Sequence, residues 1–147
     1  MNREDIEHNI KVWEKVVDVQ MHFNDLCLKV RNVAISILGV LLGAAAISFR
    51  YAGGAQASVF IFVAIVVWLA FYLMDRYWYH ELLKGAVHHG QEIEKNLKDR
   101  IPTITLAHAI RSQSHSSLGI NAARKLNYFY LGILGILVIL LIAIYTT

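Results

Sequence analysis

Five histidines, His80, His88, His89, His108 and His115, fall within one stretch of 36 residues. Clustered imidazoles can hold a metal, shuttle a proton or donate to an anion. His88 and Glu92 are four apart, a helical spacing that places both on one face and could ligate a divalent cation. The pattern has no second His-x-x-x-His, and the single cysteine, Cys27, lies far away in the chain. Solvated or hydrogen-bonded histidines are the plainer reading, and no metal or cofactor is expected. The chain also has no nucleophile–base pair at a recognisable spacing, no phosphate loop and no nucleotide-binding signature. An enzyme is not expected.

Cations carry the second chemical signal. Lys84, Lys95, Lys98, Arg100, Arg111, Arg124 and Lys125 form a basic set, diluted in its first half by acids at 81, 92, 94 and 99. From Arg100 to Lys125 there is no acid at all. Lys98, Arg100, His108, Arg111 and His115, with the serines of residues 112–119, supply donors suited to phosphate oxygens. Arg124 and Lys125 belong to this candidate anion-binding set and are equally suited to anionic lipid headgroups.

The elements that must position these groups are unusual. Of 147 residues, 56% are apolar, and the excess is concentrated in three runs. Residues 32–49, 57–74 and 128–145 each hold 18 residues without a formal charge. At 1.5 Å per residue such a run spans about 27 Å, close to the hydrocarbon thickness of a bilayer. An all-α membrane protein with three transmembrane helices follows. A signal peptide does not fit, because 31 residues of mixed charge precede the first run. One cysteine excludes an intramolecular disulfide and suits a reducing compartment.

Lys and Arg number five in residues 1–31, one in the 50–56 link, eight in 75–127 and none after Tyr145. The positive-inside rule then puts the N-terminus and residues 75–127 in the cytoplasm, and the link and C-terminus outside. For a bacterial chain this is the inner membrane. Aromatic residues at the run boundaries, including Phe49, Tyr51, Tyr72 to Tyr79, Tyr128 and Tyr145, match an interfacial belt.

Residues 3–31 read as an amphipathic helix with one stripe at Val12, Val16, Val19, Phe23, Leu26 and Val30, continuing through Val33 and Ile37. A weaker stripe at Ile6, Ile10, Trp13, Val17, Met21 and Leu28 lies beside it. Such a face needs a partner. Residues 75–100 offer one at Leu82, Ala86, His89, Ile93 and Leu97, so the second span is expected to run out of the membrane as half of a two-helix stalk. Pro102 should end that helix, with a short return helix starting near Thr103. Ser117 or Asn121 could cap the last helix.

Within the first span, Ser36, Gly39, Gly43 and Ala46 share a face. Small residues let helix backbones approach closely in lipid. Two readings stay open: packing within the protomer, or a subunit interface or pore lining. No charge lies inside any span, which argues against a proton relay, ion-coupled transport or voltage sensing. Three helices cannot enclose a water-filled path, so conduction would need a homo-oligomer.

The layout resembles small bacterial antiviral membrane effectors with SLATT-type domains. The resemblance rests on "VQMHFNDLCLKVRNVAISILGVLLGA", running into span one, and "LMDRYWYHELLKGAVHHGQEIEKNLKDR", running out of span two. It covers most of the chain as layout and no diagnostic motif carries it; the third span and the lack of a fused sensor domain are departures. It implies an oligomeric effector whose pore is gated by a nucleotide or oligonucleotide at the cytoplasmic region, made by a signal-producing nucleotidyltransferase encoded nearby. The alternative function is a non-conducting scaffold or anchor whose stalk docks a protein.

Overall fold

The computed structural model describes residues 3–109, 112 and 122–146. Helix α1 (Arg3–Ala52) is continuous for 50 residues, about 75 Å at the helical rise. Glu4 and Asp5 in its first turn and Arg50 in its last complement the helix dipole. Gly53, at φ 92° and ψ 175°, makes the reversal in a region of backbone space that is essentially glycine's alone. Helix α2 (Gly54–Met74) then runs back beside α1. A Cβ on Gly54 would sit 2.9 Å from the backbone oxygen of Ile144, so the top of α2 meets the last helix there at glycine contact distance.

Between α2 and α3 (His80–Leu97), residues Asp75–Tyr79 form a single π-helical turn without interrupting the rod. The His80 N–H donates to the Asp75 carbonyl, the wide i to i−5 bond of such a turn. In a regular α-helix, residues five apart point about 140° away from each other. The wide turn brings Asp75 and His80 onto one inward face, and both are buried. Gly54–Leu97 is therefore one 44-residue helical rod. It ends where the N–H groups of Arg100 and Ile101 both bond the Leu97 carbonyl, just before Pro102. Residues 106–109 are helical, beginning after Thr105 rather than near Thr103. Helix α4 (Ala122–Tyr145) closes the structure. The two candidate caps, Ser117 and Asn121, lie outside the described residues.

The protein is all-α, with no strand among the described residues, and three of its helices are long and apolar enough to cross a membrane. In the apolar layer α2 is central, with α1 on one side and α4 on the other; α3 packs against the polar half of α1 to form a stalk. The core is small: Ala34 of α1, Trp68 of α2, and Leu126, Tyr130 and Leu137 of α4.

The stalk seam departs from both stripes read from the sequence after Trp13. Gln20, Cys27 and Ala34 are buried seven residues apart, with Ile6 and Trp13 half-buried at the same heptad position. Val19, Met21, Leu28 and Val33 are exposed instead. Two long packed helices keep a seven-residue repeat, and here it passes through Ile6 and Trp13 of the weaker stripe and continues through Gln20, Cys27 and Ala34, which neither stripe contains. On α3, Leu82 and His89 face solvent, and the seam passes through Ala86, Gly90, Ile93 and Leu97. Gly90 marks the close crossing: a Cβ there would sit 2.6 Å from Gln20 Nε2, which donates to the Ala86 carbonyl at 3.1 Å.

Candidate functional site

Two polar sites are built on the rod. The first lies where it leaves the apolar layer. Asp75 is fully buried and accepts from Arg31 Nε at 2.7 Å and Arg31 Nη2 at 3.3 Å, a two-pronged pair. The Tyr130 hydroxyl of α4 donates to the same carboxylate at 3.1 Å. Trp68 Nε1 donates to the Tyr130 carbonyl at 2.9 Å, and the Tyr72 hydroxyl to Asn127 Oδ1 at 3.2 Å. Rings of Trp68, Tyr72 and Phe129 pack around Tyr130. One carboxylate thus clasps all three long helices together. Burial, with the Asp75 charge close by, pushes the thiol of neighbouring Cys27 up, which keeps it protonated and unreactive.

The second site lies in the stalk. Glu94 is buried, yet its carboxylate is satisfied mainly by backbone. Oε1 accepts from the Ala107 N–H at 2.7 Å and from Trp13 Nε1 at 3.2 Å; Oε2 accepts from the His108 N–H at 3.1 Å. This carboxylate ties the return segment to both stalk helices. Beside it opens a cavity of about 490 Å³ between the end of α3 and residues 102–108, with Lys95, Lys98, Thr105 and His108 on its wall.

The candidate anion-binding residues divide accordingly. Lys98 and His108 meet in this cavity, joined by Lys95. Arg100 is exposed in the turn beyond Leu97, outside the lining. Arg124 and Lys125 sit in the first turn of α4, well removed in sequence from the cavity. Arg111 and His115 lie outside the described residues. His88 and His89 approach Glu92 at 3.9 and 3.7 Å on the exposed stalk surface, and no cluster of three metal-type ligands occurs among the described residues.

Ser36, Gly39, Gly43 and Ala46 are all exposed, and a Cβ on either glycine would meet nothing within 4 Å. Neither glycine meets another helix of the protomer at close distance. The Ser36 hydroxyl is satisfied by the Asn32 carbonyl of its own helix at 2.9 Å, so it needs no further partner in lipid.

Sequence reasoning missed the Arg31–Asp75–Tyr130 clasp and the role of Glu94. The available signal for the first was a guanidinium directly before the first apolar run and a carboxylate directly after the second, ends that an antiparallel helix pair brings level. No family model, curated protein or solved structure matches the chain.

Proposed function

We propose that the protein is an oligomeric membrane effector whose assembled spans form an ion-conducting pore, controlled by an anionic signal at the stalk, in the antiviral role that its layout suggests. The observation that carries the reading is the small-residue face of α1, which has no partner within the protomer. A stripe of this kind in lipid favours close helix–helix approach, and a neighbouring subunit can supply the missing helix. The stalk's cationic residues give the assembly a place to meet an anion. The distribution of Lys and Arg supports placing the stalk and N-terminus in the cytoplasm and the end of α4 outside.

Gly43→Leu puts a bulky side chain in the middle of the open face. The expected outcome is loss of the oligomer in native mass spectrometry, with the monomer still inserted, and loss of ion flux from liposomes holding purified protein. Flux absent from wild type under every ligand condition, with the oligomer intact, would leave the scaffold reading in its place.

A further inference from the structure

The stalk cavity has a composition that the clasp lacks. Lys95 and Lys98 on its wall have no acidic partner among the described residues. Of the carboxylates adjoining them in sequence, Asp99 is exposed and outside the lining, and Glu94, which shares the cavity wall, already accepts three hydrogen bonds from N–H groups. His108 and Thr105 add polar groups from the facing segment, while Pro102 and Ile104 offer an apolar surface in the same cavity. A volume of about 490 Å³ is of the size that encloses a small organic ligand rather than a bare ion.

We propose that this cavity binds one phosphate ester per protomer, with the phosphate on Lys95 and Lys98 and a ring or short apolar body against Pro102 and Ile104. The proposal rests on the anionic-signal reading above and narrows it, from a polyanion shared around a ring of subunits to a compact ligand held by a single stalk. Two lysines provide two positive charges, which a doubly charged phosphate monoester uses more fully than a carboxylate.

Lipid headgroups carry the same phosphate chemistry, but distance argues against them. Lys95 is 21 residues beyond Met74 on an unbroken helical rod, about 31 Å along its axis. That is several times the screening length of about 8 Å at physiological salt. A soluble ligand fits this position.

The test uses the full-length protein in detergent micelles, with AMP as the ring-bearing phosphate monoester and adenosine as its uncharged counterpart. Equilibrium dialysis should show AMP binding at least tenfold more tightly than adenosine. Lys95→Gln and Lys98→Gln should each weaken AMP at least tenfold. Lys84→Gln, on a lysine that pairs with Glu81 away from the cavity, should leave AMP binding unchanged. Equal binding of the two probes, no binding of either, or unchanged AMP binding in both lysine variants overturns the proposal. A water-soluble short-chain phosphatidylglycerol that competes better than AMP assigns the cavity to a headgroup and overturns the soluble-ligand assignment. Liposome flux separates this proposal from the pore: AMP binding that depends on both lysines, without flux in wild type, keeps the cavity and removes the channel. Flux that ignores both substitutions removes the cavity as its control.

Discussion

Asp75 and Glu94 stand 19 residues apart on the same rod, both nearly sealed from solvent, and their hydrogen-bond partners differ in kind. Asp75 is met by a guanidinium and a phenol, so charge is cancelled locally and the three helices close around the pair. Glu94 is met by two backbone N–H groups and an indole, all uncharged donors. Lys95 and Lys98 make no ion pair with it and lie on the wall of the open cavity that it shares. A carboxylate that takes a cation as partner makes a closed joint. One that takes neutral donors leaves the neighbouring cations for something else.

Asp75→Asn should have the largest effect. Removing one member of a buried pair leaves the other uncompensated, at about 3–5 kcal/mol. The Arg31 side chain keeps 30% exposure and can turn its tip toward headgroups or water, which puts the loss near the lower end. Thermal unfolding in detergent, followed by intrinsic Trp fluorescence, reads this directly. Adding Arg31→Gln to the Asp75→Asn background should recover part of the loss, because it removes the orphaned charge. Strictly additive losses would show that the two residues do not work as a pair, and the contrast between the two carboxylates would collapse.

Glu94→Gln should cost less, about 1–3 kcal/mol, because an amide presents one acceptor where two N–H donors use two different oxygens. The expected readout is local: faster protease cleavage between residues 98 and 105, with the unfolding of the apolar layer unchanged. AMP affinity should fall along with it, since one wall of the cavity has come loose. A rise in affinity would mean that the Glu94 charge had been repelling the ligand, and that its neutral donors do not mask it.

How much of this was legible beforehand depends on range. The three apolar runs, the running of α1 into span one and the running of the second span into the stalk follow from local composition, and the structure has them as continuous helices. The seam did not follow, because the stripes trace the larger apolar residues, while the packed positions of α1 include polar Gln20 and small Cys27 and Ala34, which leaves Val19, Val33 and Leu82 exposed. The clasp joins residues 44 and 55 apart in sequence. No spacing rule connects them, and only the helices' lengths and the wide turn at Asp75–Tyr79 bring them level. Lys98 and His108 are legible as donors suited to an anion. Lys95 belongs with them because the chain turns back at Pro102, which the proline did signal. Glu94 had no sequence signal beyond its place beside Ile93 on the seam.

The smallest expected effect tests the wide turn that separates the two carboxylates. His80 is carried onto the inward face by that turn, and burial, with Arg76 as the next contribution, lowers its pKa below the ordinary 6.5. Lys84 acts in the same direction, and Glu81 and Asp75 oppose it. The sign follows from proton counting: below pH 6.5 the unfolded chain takes up a proton on His80 that the folded chain still refuses. Stability from this residue is therefore complete above 6.5 and declines as pH falls from 6.5 towards the lowered folded value. In detergent, the unfolding temperature should drop more steeply for wild type than for His80→Gln across that window. The difference between the two slopes isolates His80 from the other histidines. Parallel slopes would mean that the imidazole is as free to charge in the fold as out of it, and that the π-helical turn does not bury it beside Asp75.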